Sequence, residues 1–588
     1  MDLLYLSMRF KIIISFIFLP LFSFSQTEID SFLEATRQQL FQARQEIKII
    51  NNKNKVLPFT RIDTLKIGFF SNEQRPGFKQ MLENYLPIQK LENLDELNIY
   101  DYIIVEWNLD KSMGKTPKFL DTVPNLIMFT KSRGELDLDR RFDHHLHANN
   151  QSPLLSSLAA QGIFGAVLIL GKNNQDPLKP IGRLGYTSPE EFGIFSFPLQ
   201  ENIKKVVEEG IEAQAFPGAQ VLVAYKNKVI YHEAYGYHTY SKNRKVQKTD
   251  IYDLASITKV SGALPALMKF HGEGKFDIDL PMSYYFQFLK DSNKGDALVK
   301  EVLSHYARYK AWIPYWRTTL KKNGKYKRKT LKAKPNKKYS IQLTPNLYLY
   351  KDYKQEIYKQ IKEAPIEKEL KYLYSGLSFY LWPDLVASIS GMDYETYLKE
   401  TFYNKLGAKT LTYKPLRYFS KDRIIPTEND TFFRKELLHG VVHDEGAAMM
   451  DGISSNAGLF SSANDLAKLF QMYLNKGSYA GEQFIAPNSI STFTKTHYAG
   501  ANNRRGLGFD KPLLKYDPVQ SSTAKDASLN SFGHSGYTGT FVWADPDNDL
   551  IYIFFSNRVY PTRYNRKIYQ MNIRPRIQQT IYDAILKK

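Results

Sequence analysis

Hydrophobic positions along this chain fall into two periods, and the switches between them divide it. From Gln26 to about Leu57, Ile29, Phe32, Leu33, Leu40 and Ile47 recur at helical spacing among Glu, Gln, Arg and Lys, which predicts one amphipathic helix acting as a brace or linker over 26–59. Between 60 and 194, short apolar runs at 65–70, 102–107 and 126–129 are bounded by turn or polar residues and separated by helical patterns such as 77–86. That alternation predicts an α/β layer with a parallel sheet. A helix follows at about Leu199 to Glu212, and then two runs, 219–225 and 229–235, flank the polar turn Lys226-Asn227-Lys228 as a hairpin. Downstream, Val260 to Met268 has the small, apolar texture of a buried helix. Ser462 offers an N-cap to a helix over 464–473, and a strand over 545–558 precedes a closing helix that ends near Leu586.

The first residues follow another pattern. Arg9 and Lys11 precede the apolar run Ile12 to Phe22, and Ser23-Phe24-Ser25-Gln26 follows, so residues 1–25 read as an export signal cleaved after Ser25. Eleven apolar residues broken by Pro20 are too short to span a bilayer, and no other run approaches that length. The mature protein is therefore expected without a transmembrane anchor, secreted across the inner membrane and periplasmic.

With 588 residues, 43% hydrophobic and 14% aromatic, the chain can bury two or three cores and is not a disordered polymer. The absence of cysteine excludes disulfides, thiolate metal sites and a lipoprotein cysteine. A net charge of +20 and a pI near 9.4 call for an anionic partner. No zinc, RNP or helix-turn-helix pattern accompanies the charge, so nucleic acid is set aside in favour of cell-wall polymer or anionic headgroups. The densest cations are Arg317, Lys321, Lys322, Lys325, Lys327, Arg328, Lys329, Lys332, Lys334, Lys337 and Lys338, with no acid among them. They read either as a solvated flap or as a contact for an anionic polymer. Trp312, Tyr315 and Trp316, directly before them, are candidates for a substrate cleft or for buried packing. Asp143-His144-His145-Leu146-His147 looks metal-like, but adjacent histidines project in different directions, so it is read as a solvated or interdomain loop.

Chemistry concentrates at Asp253-Leu-Ala-Ser-Ile-Thr-Lys259. Ser256 and Lys259, three apart at a helix start, share one face; the lysine amine can take or relay the serine proton, and the helix start favours negative charge developing on the hydroxyl. S-x-x-K alone recurs by chance, and its plain alternative is a capping serine with a solvated lysine. Two further stretches change the weight: Tyr374-Ser375-Gly376 within Lys371–Trp382, and Gly533-His534-Ser535-Gly536-Tyr537-Thr538-Gly539-Thr540 ahead of the apolar run at 541–543.

In this order the three stretches resemble the active-site motifs of the serine β-lactamase-like family, which includes class C β-lactamases, penicillin-binding D-Ala-D-Ala peptidases, D-aminopeptidases and related esterases. The resemblance covers about 195–588 and implies an α+β domain, an antiparallel sheet flanked by helices plus an all-helical subdomain, with no cofactor and no metal. It implies Ser256 as nucleophile forming an acyl-enzyme, Lys259 easing its deprotonation, and Tyr374, held near two cations, as general base. It also implies His534 in place of the Lys of K-T-G, bonding Tyr374 or a substrate carboxylate and titrating near neutral pH. The amides of Ser256 and Tyr537 would form the oxyanion hole, with Ser535, Gly536 and Gly376 lining the substrate and Gly536 letting the strand approach it closely.

Two departures stand out: Gly376 where β-lactamases carry Asn, and Arg308, in Leu303-Ser-His-Tyr-Ala-Arg308, where relatives carry Gly. His443-Asp444-Glu445 is either an acid/base cluster or a satisfied structural network. More faintly, 60–194 resembles the C-terminal α/β domain of family 3 glycoside hydrolases, without room for their barrel before residue 60. The implied activity is hydrolysis of a peptide, amide or ester bond in a cell-wall-type or other D-amino-acid substrate. The alternatives are a catalytically silent cell-wall-binding protein, a true β-lactamase or a glycosidase.

Overall fold

A computed structural model describes residues 25–73, 77–92, 97–112, 114–133, 141–170 and 177–586. The expected export signal therefore lies, apart from Ser25, outside the described residues. No helix among them is long and apolar enough to cross a membrane.

Helix α1 (Gln26–Glu46) opens the described chain with a capping box, in which the Ser25 hydroxyl accepts the Glu28 N–H and the Glu28 carboxylate accepts the Ser25 N–H. The single helix expected to Leu57 ends at Glu46 instead. Ile47-Lys-Ile-Ile-Asn-Asn turns into strand β1 (Ile47–Asn52), because β-branched residues fit a pleated surface and the edge of β6 (His144–Ala148) offers a partner.

Five strands, β2 (Ile67–Ser71), β3 (Ile88–Lys90), β4 (Tyr102–Asn108), β5 (Leu126–Lys131) and β6, run parallel, with β1 antiparallel at the edge, in the order β1-β6-β5-β4-β2-β3. One face, with Phe69, Ile104, Ile127 and Phe129, packs on Leu155, Leu158 and Ile163 of α2 (Pro153–Ile163); the other buries Ile103, Val105 and Met128. The histidine run is not a loop. It is the buried strand β6, where Thr130 Oγ1 lies 2.8 Å from both His145 Nε2 and His147 Nδ1, and burial lowers His147 to a pKa of about 4.

The chain then crosses into a second six-stranded sheet, ordered β18-β19-β20-β8-β9-β7. Here β7 is Gly185–Tyr186, β8 Gly218–Tyr225, β9 Lys228–Gly236, β18 Phe532–Ser535, β19 Phe541–Asp545 and β20 Leu550–Ser556. All neighbours are antiparallel except β7 on β9. The β8–β9 hairpin turns through Lys226 and Asn227, both with positive φ (48° and 63°), the backbone that matches the twist of paired strands. Alternation sorts its side chains: Val221 and Val223 face α3 (Ser196–Glu212) and α7 (Ile573–Leu586), while Leu222 and Ala224 face the larger core that holds the site.

The region inserted between β9 and β18 is not all-helical. It carries α4 (Leu264–Gly272), α5 (Tyr353–Glu363) and α6 (Ala463–Leu474) together with two three-stranded sheets and a hairpin. The first sheet joins β10 (Tyr252–Asp253), β15 (Leu459–Ser461) and β14 (Thr412–Tyr413); the second joins β11 (Leu331–Lys332), β13 (Leu347–Leu349) and β12 (Ile341–Thr344). The hairpin pairs β16 (Ser478–Tyr479) with β17 (Glu482–Gln483). The two halves of the protein meet through polar groups. The buried Arg183 guanidinium donates to the carbonyls of Phe59 (3.0 Å) and Thr60 (2.7 Å), and Asn464 Nδ2 donates to the Asn84 carbonyl (3.2 Å).

Candidate active site

Ser256 stands where β10 turns into the helix beneath the large sheet. Asp253 Oδ1 accepts the Ala255 N–H at 2.8 Å and holds Ala255 at φ 46°, a left-handed conformation costly for a residue with a Cβ. The chain then makes tight turns through Ile257 and Thr258 and a wide π-type turn over Lys259–Ala263 before settling into α4. This places Lys259 Nζ 3.0 Å from Ser256 Oγ and 2.8 Å from the Asn456 carbonyl. Lys259 is buried, while Ser256 is half-exposed.

Tyr374 comes from a loop between α5 and the segment at 377–380. Its hydroxyl donates to Ser256 Oγ at 3.1 Å, so the serine oxygen sits between amine and phenol. Ser375 N–H donates to His305 Nδ1 (3.2 Å), and the His305 and Tyr374 rings lie 4.6 Å apart, which fixes the loop. Lys259 Nζ lies 5.5 Å from the Tyr374 ring centre and 5.3 Å from that of Phe379. Gly376 has an ordinary φ of −90°, and a Cβ built there meets nothing within 4 Å.

His534, on β18, takes neither Tyr374, one of the two partners expected for it, nor a setting in which it titrates near neutrality. Its Nδ1–H donates to the Ser535 carbonyl (2.8 Å), and its Nε2 accepts from Arg505 Nη2 (3.2 Å). Burial, then the nearby cations Arg505 and Lys259, lowers its pKa to about 3. Its surroundings therefore favour the neutral imidazole. The second cation over Tyr374 is Arg505, 5.4 Å from the ring centre, buried and paired with Asp510 at 3.1 Å. Burial and Arg505 likewise push His305 well below its ordinary range.

The turn from β18 to β19 is bound to the strand that leads to Ser256. Thr538 Oγ1 donates to the Asp253 carbonyl (2.8 Å) and Thr540 Oγ1 to the Leu254 carbonyl (3.2 Å). A Cβ on Gly536 would lie 2.6 Å from the Leu254 carbonyl oxygen, so Gly536 serves this close approach of backbone to backbone. Among the described residues, the backbone N–H groups of Ser256 and Tyr537 donate to no protein acceptor. Two free amides beside a half-exposed serine can stabilise an oxyanion. Tyr537 is 48% exposed, with the Arg558 guanidinium 4.4 Å from its ring centre.

The remaining sequence candidates scatter. His443 and Glu445 belong to a network behind the site: His443 Nε2 lies 2.8 Å from Glu428, and Arg563 bridges Glu428 and Glu445, each at 2.6 Å. Asp444 caps the short helix Glu445–Met449. Tyr315 is buried against Tyr380, Trp316 is half-buried on Phe432, and Trp312 is 54% exposed. Among the described residues, no group of three or more His, Asp or Glu side chains could hold a metal ion. Sequence reasoning missed Arg505, Asp510, His305 and Asn456. Arg505 and Asp510 carried a signal in Arg505-Gly-Leu-Gly-Phe-Asp510, an arginine and an acid spaced around a glycine turn; Asn456 contributes a carbonyl, which leaves no mark in a sequence.

A serine flanked by lysine and tyrosine, at the seam of an antiparallel sheet and a helical layer, defines this protein as a serine hydrolase. Residues 203–572 match the family described as Beta-lactamase, and the chain belongs to that family. A protein of Escherichia coli O157:H7 named "Putative D-alanyl-D-alanine carboxypeptidase" is 27% identical over 400 residues, covering 63% of this chain and 85% of that one. A Salmonella schwarzengrund protein of the same name is 28% identical over 408 residues, covering 65% and 87%. Among solved structures, "EstCE1, a hydrolase with promiscuous acyltransferase activity" covers 65% of this chain and 98% of its own, with a TM-score of 0.47 and 16% identity.

Proposed function

We propose that the protein is an exported serine hydrolase that forms an acyl-enzyme on Ser256 and acts on cell-wall-type peptides ending in D-amino acids. The observation that carries this reading is the position of Ser256 Oγ, 3.0 Å from Lys259 Nζ and 3.1 Å from the Tyr374 hydroxyl. Ser256 Oγ attacks the acyl carbon as its proton passes to the Tyr374–Lys259 pair, and the carbonyl oxygen becomes an oxyanion held by the Ser256 and Tyr537 amides. The same pair returns the proton to the leaving amine as the C–N bond breaks, leaving a serine ester; water, deprotonated at Tyr374, then releases the acid. Arg505 and the neutral His534 act as positioning residues for Tyr374. The names of the carboxypeptidase-like relatives support the substrate class. Gly376 removes the amide that β-lactamases present, which favours peptide over β-lactam turnover.

The sequence of residues 1–25 supports export to the periplasm. For residues 60–194 the proposed kinship is with the C-terminal domain of family 3 glycoside hydrolases, acting as a scaffold without glycosidase chemistry.

The test is intact-mass spectrometry after incubation with a fluorophosphonate and with a penicillin, alongside D-alanine release from an acyl-D-Ala-D-Ala peptide. An adduct and D-alanine release that both vanish in Ser256→Ala support the reading. A protein that takes up neither reagent and releases nothing is a binding protein that kept the fold.

A further inference from the structure

The basic segment between Trp316 and Ser340 is a folded element rather than a loose loop. Strands β11, β12 and β13 form a small antiparallel sheet whose inward residues, Leu331, Ile341, Leu343, Leu347 and Leu349, are buried in the main core. Tyr326 pins its near end through a 2.6 Å hydrogen bond to the Phe433 carbonyl. All eleven cations from Arg317 to Lys338 are exposed on this element. Among the described residues none of them lies within ion-pair distance of a carboxylate, although lysines elsewhere find one, as Lys300 does with Asp279 and Lys405 with Glu482. Across a groove of about 700 Å³, Asp352 and Glu356 face Lys327 and Lys329 without pairing to either.

Apolar anchors thus hold eleven like charges together, and among the described residues no carboxylate lies at ion-pair distance from any of them. More than half of the chain's net charge of +20 sits on this one element. Such a field attracts polyanions and costs stability through self-repulsion until one binds. We propose that this β-flap is a docking surface for a linear polyanion with repeating phosphate groups. Residues 317–340 expose no large apolar side chain, so a bilayer contact there would rest on charge alone, and the vesicle arm of the test separates it from polymer binding. The flap also grows directly out of the site wall. The Ala311 carbonyl accepts the Gly376 N–H (3.2 Å) and the Lys310 carbonyl accepts the Ser375 hydroxyl (2.6 Å), so the stretch that leads into the flap is tied to the Tyr374 loop.

The experiment compares the full chain with a flap variant, Lys325→Gln/Lys327→Gln/Lys329→Gln, and a control variant, Lys205→Gln/Lys290→Gln/Lys495→Gln, whose lysines are exposed elsewhere. The probes are long-chain inorganic polyphosphate and, separately, vesicles containing phosphatidylglycerol, each titrated over a range of salt. The flap variant is expected to weaken polyphosphate binding about tenfold or more and to reduce the salt slope by about 3, one per lost contact, while the control variant shifts Kd less than about twofold. Fluorophosphonate labelling of Ser256 stays unchanged in both variants, which separates failure of the docking surface from failure of the catalytic reading. Equal weakening in both variants, no polyphosphate binding, or binding to vesicles alone overturns the proposal.

Discussion

Arg505 lies over the ring of Tyr374, 5.4 Å from guanidinium carbon to ring centre, and its Nη2 donates to His534 Nε2 at 3.2 Å. One buried cation therefore acts on the phenol below it and adds to the burial that keeps the imidazole behind it neutral. Arg505→Lys keeps the charge but loses the planar fork, whereas Arg505→Met removes both. We expect kcat to fall about tenfold in the first and about a hundredfold in the second, the scale of a mispositioned acid–base group, with KM nearly unchanged. Steady-state kinetics on a D-Ala-D-Ala peptide checks this. A KM effect without a kcat effect would assign Arg505 to substrate binding instead.

His534 should stay neutral well below the ordinary histidine range. Its pKa near 3 in the folded state lies below its ordinary value, so the unfolded chain binds the extra proton first as pH falls. The stability this contributes is fully present above about pH 6.5 and is lost progressively as pH drops toward 3, and His305 adds an effect of the same sign. Heteronuclear NMR of histidine-labelled protein is expected to show the His534 ring unprotonated from pH 5 to 8. His534→Lys would bury a second cation against Arg505 and is expected to cost about 3 kcal/mol in denaturant unfolding.

At Gly376 the free space around a built Cβ predicts that an asparagine is accepted without repacking. Gly376→Asn is expected to change stability by less than about 0.5 kcal/mol while raising the rate of penicillin acylation of Ser256, because the amide can bond the acyl carbonyl side of the substrate. Stopped-flow or timed intact-mass measurement reads the rate. An unchanged rate would show that the glycine does not govern β-lactam reactivity.

Arg308 occupies a left-handed conformation, φ 58°, with its carbonyl accepting the Glu367 N–H at 2.8 Å. A residue with a Cβ is strained in this conformation and a glycine is not, so the backbone here is one that a glycine would adopt freely. Arg308→Gly is expected to stabilise the fold by about 1 kcal/mol in denaturant melts, the relief of left-handed strain offset in part by the freer unfolded chain. A loss of stability would mean that the Arg308 side chain contributes contacts that outweigh the strain.

Much of this protein was legible along the chain because the relevant physics is local. Ser256 and Lys259 share a helix face by spacing alone, Lys226-Asn227 supplies the backbone a hairpin turn needs, and Ser462 caps α6 as read. The parallel sheet announced itself in the runs at 102–107 and 126–129 because strands buried on both faces are apolar throughout. Local pattern failed where a distant partner decided. Ile47–Asn52 left the helix because β6 offered an edge, the histidine run became a buried strand because β1 and β5 enclose it, and 331–349 folded into a sheet because five aliphatic residues found the main core. The three motif segments, by order and residue type, were determined by the sequence itself. That His534 is neutral, that Arg505 rather than His534 supplies the second cation at Tyr374, and that the Asn456 carbonyl anchors Lys259 were decided only by tertiary structure, since burial and through-space charge depend on what folds against a residue and not on its neighbours in the chain.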